Sequence, residues 1–211
     1  MKKALVALAV CSAVGTAQAS VLVNEGFDNV GSLESKGWIL NNASTPGGLT
    51  EGWYQGDQSQ FAAAQGAADS YAAANYNNAS EGGIISNWLI TPEFSTVFGA
   101  TVSFWLRAAD ADGFSDQLAF GFSNGSTSLS SFVLEPAFTV PTGEWTRYVA
   151  RIGKTEGTAR FALQYTGSYD FANYVGVDSL MIVNEVPEPS TVLVLAAGAL
   201  GLAAARRRKR G

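Results

Sequence analysis

The sequence predicts an all-β domain, an antiparallel β-sandwich, over most of its 211 residues. Apolar and polar residues alternate with a period of two in several stretches between residues 20 and 184, and long helical amphipathic patterns are scarce. Turn signals containing glycine or proline separate these stretches at short intervals. Many short strands at such a spacing are typical of a sandwich of two antiparallel sheets.

Four stretches carry the strand prediction. In residues 100–107, the apolar side chains of Val102, Phe104 and Leu106 fall on one face. The same alternation runs through residues 146–152, 159–166 and 174–183. Turns are expected around residues 46–48, 82–83, 112–113, 124–125, 141–143 and 153–157.

Two stretches depart from simple alternation. In the last strand the apolar parity changes between Val177 and Leu180, which predicts a β-bulge or a site near Asp178. Residues 61–75 are rich in alanine, which favours helix, but Gly66 interrupts them. For residues 71–76 we expect a strand with small inward-facing residues.

The N-terminus has the order of a secretory signal peptide. A basic start, Met1-Lys2-Lys3, precedes an apolar run over residues 4–14 and the small-residue site Ala17-Gln18-Ala19. This order predicts cleavage after Ala19 and export. The one cysteine of the chain, Cys11, lies inside this segment, so the exported domain has no disulfide.

The C-terminus has a three-part pattern. It runs from Val186-Pro187-Glu188-Pro189 through an apolar stretch of fifteen residues, 191–205, to a basic end. The basic residues are Arg206, Arg207, Arg208, Lys209 and Arg210. A bilayer span usually needs about 20 residues, so we expect a short transmembrane helix that anchors the chain transiently, with its basic end in the cytoplasm.

This tail resembles the PEP-CTERM sorting signal of Gram-negative bacteria. The resemblance implies processing near the Pro-Glu-Pro motif by an exosortase in the inner membrane. The product would then go to the cell surface or the extracellular polymer matrix. A plain tail anchor is the alternative interpretation.

The charge of the exported part is hidden by the two ends. Between residues 20 and 190 there are six Lys and Arg residues and eighteen Asp and Glu residues, a formal charge of −12. Nucleic acid binding is excluded on this ground, because phosphate contacts need Lys and Arg. The same charge argues against an anionic membrane surface and allows attraction of divalent cations.

Most catalytic chemistries lack their residues. The chain has no histidine, and no cysteine after export, so Ser-His-Asp, Cys-His and the common zinc sites are excluded. A carboxylate-pair glycosidase remains, since such enzymes need two carboxyls about 5 to 10 Å apart. Its acids would come from Asp110, Asp112, Asp116, Glu135 or Glu144, but their spacing selects no pair. We therefore expect no enzyme activity.

A structural calcium ion is the metal that the acids fit best, because calcium takes six to eight oxygen ligands at relaxed geometry. The expected ligands are Glu25 near the mature start and Asp178 near the domain end, since first and last strands of a sandwich often pair. The alternative is that both carboxylates satisfy backbone amides of turns.

Loop aromatics are the candidate ligand-binding residues, because aromatic faces pack on the C–H surfaces of sugar rings. The candidates are Trp53, Tyr54, Tyr169 and Phe171, for which core packing is the other interpretation. Trp88, Trp105 and Trp145 lie in strand-like contexts, and for them core packing is favoured.

The domain also resembles a known family. The motifs that carry the resemblance are Asn24-Glu25-Gly26-Phe27-Asp28, Gly37-Trp38, Ser86-Asn87-Trp88-Leu89-Ile90-Thr91-Pro92-Glu93-Phe94, Thr101-Val102-Ser103-Phe104-Trp105, Glu144-Trp145 and Val177-Asp178-Ser179-Leu180. They resemble the choice-of-anchor J domain, related to the cleaved adhesin modules of gingipains. The resemblance implies a jelly-roll sandwich, an adhesive surface role and frequent structural calcium at positions matching Glu25 and Asp178. Ser179 stands where the family often has a second acid.

The sequence thus predicts a signal peptide over residues 1–19, a choice-of-anchor J-like sandwich over 20–184 and a sorting signal over 185–211. The leading hypothesis is a non-enzymatic surface or matrix protein with an adhesive or structural role in a biofilm exopolysaccharide. A carbohydrate-binding module that holds extracellular polysaccharide through loop aromatics is the alternative, and a glycosidase is the least favoured.

Overall fold

The structure is a computed structural model, and it describes residues 19–185, which form two antiparallel sheets. The first sheet contains β1 (Val21–Glu25), β4 (Tyr54–Gln55), β5 (Ala72–Asn75), β8 (Ala100–Ala108), β12 (Thr146–Ile152) and β14 (Tyr174–Asn184). The second sheet contains β2 (Ile39–Asn42), β3 (Thr45–Gly47), β6 (Ala79–Ile90), β7 (Phe94–Ser95), β9 (Gln117–Ser123), β10 (Val133–Leu134), β11 (Phe138–Thr139) and β13 (Thr158–Ser168). Short 3-10 helices lie at Val30–Ser32, Glu34–Lys36, Tyr76–Asn78, Leu129–Ser131 and Tyr169–Phe171.

Strand order places the last strand at the centre of the first sheet. The order is β12-β8-β14-β5-β4, and β1 also pairs with β14. In the second sheet the order is β10-β9-β13-β6-β2, and in addition β11 pairs with β9, β3 with β6 and β7 with β13. The expected pairing of the first and last strands is confirmed, since β1 and β14 are antiparallel neighbours.

The predicted alternation sets the faces of the central strands. Phe104 and Leu106 on β8, and Phe161 and Leu163 on β13, are fully buried and pack in one core between the sheets. On β8 the alternate residues Trp105 and Arg107 are partly exposed on the outer face, whereas Ala162, between Phe161 and Leu163 on β13, is buried there. The all-β antiparallel sandwich predicted from the sequence is therefore confirmed.

Two local predictions are resolved by the structure. Residues 61–71 are irregular and Ala72–Asn75 form β5, whose Ala72 and Ala74 face the core as expected. The turn predicted at Gly82-Gly83 is wrong, because both glycines lie inside the twelve-residue strand β6. β6 pairs with β3 at Ala79 and Ile84, on both sides of the glycines and with a shift of register between them, and its pairing with β13 begins at Ile84.

The outer face of the first sheet carries a second apolar cluster. The loop over residues 56–71 covers it, so that Phe61 and Tyr71 pack on Tyr174 and Trp145; we call these four residues the aromatic layer. Gly176 is required beneath it, because a Cβ atom there would lie 2.9 Å from the rings of Phe61, Trp145 and Tyr71. The layer is therefore packed directly against the backbone of β14.

The outer face of the second sheet is also partly covered. Trp88 and Ile90 of β6 and Ala162 of β13 pack under Phe132, which follows the 3-10 helix Leu129–Ser131. Trp88 is thus a packing residue, as predicted. No helix within residues 19–185 is long and apolar enough to cross a membrane. Residues 1–18 of the predicted signal peptide 1–19, the sorting motif from Val186 and the apolar stretch 191–205 lie outside the described residues.

Candidate functional site

The bulge predicted near Asp178 is present and has a structural cause. The register of β14 against β8 shifts between Asp178 and Met181, and Ser179 adopts a left-handed φ of 50°. At this point the neighbour of β14 on its other side changes from β5, paired at Val177, to β1, paired at Leu180. Asp178 therefore lies at the break between β5 and β1, where neither of these two strands pairs with β14.

The carboxylate of Asp178 holds the covering loop in place. It is fully buried, and Oδ2 accepts hydrogen bonds from the backbone N–H groups of Ala64, at 2.7 Å, and Gln65, at 3.0 Å. The Ser179 hydroxyl donates to Oδ1 at 3.1 Å. Burial raises the pKa of this carboxyl above its ordinary value, and the hydrogen bonds from Gln65, Ser179 and Ala64 oppose that shift.

Glu25 is held by a different set of donors. Its Oε1 accepts a hydrogen bond at 3.0 Å from the backbone N–H of Phe27, a residue with a left-handed φ of 56°. Its Oε2 pairs with the ammonium group of Lys36 at 2.9 Å. Glu25 thus stabilises the strained turn after β1 and is itself neutralised by a lysine.

This arrangement does not fit a calcium ion bound by Glu25 and Asp178. Calcium needs several free oxygen ligands, but both carboxylates are engaged by protein donors, and Lys36 already supplies a cation at Glu25. Within residues 19–185, no group of three or more Asp, Glu, His or Cys side chains is arranged to hold a metal. The geometry matches the alternative in which both carboxylates satisfy turn amides, and the calcium site stays a prediction.

A cleft of about 400 Å³ lies beside Glu25 on the outer face of the first sheet. Its lining includes Glu25, Asp28, Trp105, Arg147 and Ser179. Asp178 lies behind this surface rather than in it. Trp105, expected in the core, is instead partly exposed here, because it lies on the outward-facing side of β8.

The structure separates the four candidate ligand-binding aromatics into two pairs. Trp53 is only 4% exposed and belongs to the main core, so its ring is not available to a ligand. Tyr54 is half-buried against Tyr174, with ring centroids 6.3 Å apart. Trp53 therefore acts in packing, and its predicted role in sugar binding is corrected. Tyr54 also contributes to packing, and its role in sugar binding stays a prediction. Loop position alone did not distinguish them from Tyr169 and Phe171.

Tyr169 and Phe171 lie at one end of the sandwich, on the 3-10 helix between β13 and β14. Phe171 is 62% exposed, and Tyr169 lines a cavity of about 510 Å³. Two aromatics that the sequence reasoning missed complete this site: Tyr76, 36% exposed, and Phe114, 48% exposed. The aromatic cleft is this cavity together with the adjacent Phe171. The remaining lining residues are Glu81, Asp170, Ala172 and Asn173.

Backbone hydrogen bonds fix the segments that form the aromatic cleft. The N–H of Tyr76 donates to the carbonyl of Asn173 at 3.1 Å, and the N–H of Ser115 donates to the carbonyl of Phe171 at 2.7 Å. The rings of Tyr76 and Tyr169 meet edge-to-face with centroids 5.3 Å apart. Tyr76 and Phe114 each follow a turn signal, Asn75 and Asp112-Gly113, which is the only sequence cue to them.

A buried carboxylate supports the floor of the aromatic cleft. Asp116 is 2% exposed; its Oδ1 accepts hydrogen bonds from the Tyr165 hydroxyl and from the N–H of Asn173 at 2.8 Å, and its Oδ2 accepts one from the N–H of Tyr174 at 3.3 Å. Burial raises the pKa of Asp116, and these three hydrogen bonds oppose the shift. Its role is therefore positional, which removes it from the acids considered for glycoside hydrolysis.

The other acids considered for glycoside hydrolysis are dispersed. Asp110, Asp112 and Glu144 are exposed loop residues. Glu135 lines a separate groove beside Val133 and Phe122. These four acids are placed as solvated acids on the surface are.

Comparison with known proteins identifies the tail and the fold separately. Residues 185–209 match the PEP-CTERM protein-sorting motif. The K3 cleaved adhesin domain of Lys-gingipain from Porphyromonas gingivalis W83 is similar with a TM-score of 0.60 at 20% identity, over 80% of this chain and 100% of that chain. The K1 domain gives 0.58 at 20% identity over 78% and 97%, and the K2 domain gives 0.55 at 18% over 76% and 98%.

No curated protein was found to match the chain. At these identities the structural likeness shows a common fold. The sorting motif implies an exported protein that an exosortase processes during a transient membrane stage. The chain therefore carries a PEP-CTERM sorting motif behind a domain with the choice-of-anchor J-like fold of the cleaved adhesins.

Proposed function

We propose that the protein is a non-enzymatic module of the cell surface or extracellular matrix of a Gram-negative bacterium. Its role would be adhesive or structural, its sandwich would be of the jelly-roll type, and an exosortase would release it from a transient inner-membrane anchor. The observation that carries this proposal is the sorting motif, which begins at residue 185 where β14 has just ended at Asn184. A single folded unit over residues 20–185 is thus followed at once by the signal that directs it.

The end of that folded unit is firmly held. The N–H of Asn184 donates to the carbonyl of Ser20, and the N–H of Glu185 donates to the carbonyl of Gly99, both at 3.0 Å. The sorting motif can therefore be removed without loss of any strand in the described part of the chain. This supports a domain that keeps its fold after processing.

Intact-mass measurement of the surface or secreted form tests the sorting proposal. We expect the product to lack Arg206–Arg210, and a double variant Pro187→Ala/Pro189→Ala to retain them. Pro136→Ala, an exposed proline in the folded domain, is the control and should be processed normally. A secreted wild-type form that still carries Arg206–Arg210 would refute exosortase processing.

A second candidate function is carbohydrate binding at the aromatic cleft. The observation that favours it is the grouping of Tyr76, Phe114 and Tyr169 around one cavity, with the exposed ring of Phe171 beside it. Aromatic faces present apolar area with few rotatable bonds, which suits contact with pyranose rings. Extracellular polysaccharide is the ligand class that the proposed location would supply.

Paired variants test this second function. Phe114→Ala should weaken binding to a responsive polysaccharide by about tenfold, the size expected for loss of one aromatic contact. Phe98→Ala removes a ring of similar exposure, 50% against 48%, that does not line the cleft, and it should bind normally. Equal affinities of the two variants would exclude the aromatic cleft as the binding site.

A further inference from the structure

We propose that the aromatic cleft selects polysaccharides that carry ammonium groups, such as chains of unacetylated aminosugars, over neutral or acidic ones. The proposal rests on carbohydrate binding as the function of this cleft and adds the chemical class of the ligand. The carboxylates of Glu81 and Asp170, which line the cavity together with the rings, carry the inference.

Both carboxylates are available to a ligand. Glu81 and Asp170 are exposed, and within residues 19–185 neither side chain forms an ion pair or accepts a hydrogen bond. This distinguishes them from Glu25, Asp116 and Asp178, whose carboxylates are held by protein donors. They can therefore accept hydrogen bonds from a bound ammonium group without breaking an existing contact.

No cation among the described residues lines this cavity. Lys36 pairs with Glu25, Arg160 lies near Glu93, and the guanidinium of Arg107 stacks over Phe61 at 4.7 Å. The remaining bases are Arg147 and Arg151 on the edge strand β12 and Lys154 in the loop after it. A uronate or sulfated chain would meet two uncompensated negative charges here, whereas an aminosugar chain would neutralise them.

The aromatic rings and the carboxylates act on different parts of one sugar. The rings of Tyr76 and Phe114 can pack on pyranose C–H surfaces, and aromatic faces also attract cations. Each exposed charge pair contributes modestly, so two pairs should give a preference of about tenfold at low salt. That preference should shrink as salt screens the charges.

The test compares three probes on the full chain purified in detergent: glucosamine oligomers, N-acetylglucosamine oligomers of equal length, and oligogalacturonate. Calorimetric titration at low salt should give affinities for the glucosamine oligomer about tenfold above the acetylated one, with no binding of oligogalacturonate. Glu81→Gln/Asp170→Asn should abolish the preference for the glucosamine oligomer over the acetylated one.

A matched control separates the cleft from the charge of the whole domain. Glu51→Gln/Glu156→Gln removes the same charge from exposed acids that do not line the cavity, and it should keep the preference. Equal affinity for both oligomers, tighter binding of oligogalacturonate, or an equal loss in both double variants would overturn the ammonium selectivity.

The failure of carbohydrate binding itself gives a different result. If no oligosaccharide binds the wild type, the second proposed function fails and the selectivity fails with it. If the acetylated oligomer binds as well as the glucosamine oligomer and Phe114→Ala weakens the binding of both about tenfold, the function holds and only the ammonium selectivity is overturned.

Discussion

The aromatic layer and the aromatic cleft contain the same residue types, but the rings are packed in the layer and exposed in the cleft. In the layer, Tyr71 and Tyr174 share a hydrogen bond at 3.0 Å between their hydroxyls, and the indole of Trp145 donates to the carbonyl of Ala62 at 2.8 Å. In the cleft, the side chains of Tyr76, Phe114 and Phe171 are between 36% and 62% exposed. In the layer, the rings pack on one another and the polar atoms form hydrogen bonds within the protein, whereas the rings of the cleft are partly exposed to solvent.

A single covering segment makes this difference. The loop over residues 56–71 closes the layer, and Asp178 anchors it through the amides of Ala64 and Gln65. At the cleft, the short 3-10 helices Tyr76–Asn78 and Tyr169–Phe171 stand beside the cavity and leave it open. Whether an aromatic residue is exposed or packed therefore depends on which segment covers it, and the following experiments test this contrast.

The largest effect should come from replacing a core aromatic that resembles the cleft residues in sequence. Trp53→Ala should lower the free energy of unfolding by about 3–5 kcal/mol, because the buried ring leaves a cavity. Phe171→Ala, at the exposed site, should change it by less than about 0.5 kcal/mol. Urea unfolding measures both, and similar losses for the two variants would contradict the division into packing and exposed aromatics.

A smaller decrease in the free energy of unfolding should follow from overpacking the aromatic layer. Gly176→Ala places a methyl group 2.9 Å from three rings of the layer, and overpacking of this kind costs about 1–3 kcal/mol. Gly153→Ala is the control, because its Cβ meets no atom within 4 Å and its φ is not left-handed. A Gly176→Ala protein as stable as the control in urea would show that the layer is loosely packed.

The support beneath the cleft should respond to pH. Because burial raises the folded-state pKa of Asp116, the folded protein takes up a proton at higher pH than the unfolded chain does. Its contribution to stability should therefore increase as pH falls through that raised pKa towards about 3.9, the ordinary value for Asp. Urea unfolding measured from neutral pH down to about pH 4 should show a smaller increase in the free energy of unfolding for Asp116→Asn than for wild type.

An exposed acid with the opposite shift provides the control for this pH dependence. Hydrogen bonds from Ser59 lower the pKa of Asp57, so its contribution to stability is lost as pH falls through that lowered pKa. Asp57→Asn should therefore alter the pH profile in the opposite sense to Asp116→Asn. Profiles that shift in the same direction would contradict the assigned role of Asp116.

The smallest effect should come from chelation. Glu25 and Asp178 have protein donors, so EDTA should leave the melting temperature unchanged within error. Bound calcium would instead stabilise the folded state and make the melting temperature depend on free calcium. A fall with EDTA that added calcium reverses would establish the calcium site and contradict the arrangement in which Lys36 serves Glu25.

Much of the fold could be predicted because strand faces depend on local alternation. The inward-facing residues of β8 and the bulge after Asp178 could both be predicted from the order of apolar and polar residues along the strand. The strand at Gly82-Gly83 could not be predicted this way, because pairing with β3 at Ala79 and Ile84 continues β6 across a local turn signal. For the candidate site, Tyr169 and Phe171 were predicted, whereas Tyr76 and Phe114 required the loop contacts that bring them together.

The sequence by itself determined the sorting address, the acidity of the exported part and the faces of its strands, because each depends on composition or on adjacent residues. Only the tertiary structure decided that Trp53 packs while Phe171 is exposed, and that Lys36 pairs with Glu25. Such outcomes depend on contacts across long separations, as between Asp178 and Ala64, which are 114 residues apart. Alternation along a strand sets which side a residue faces, but the segments that fold over that side determine whether it meets protein or solvent.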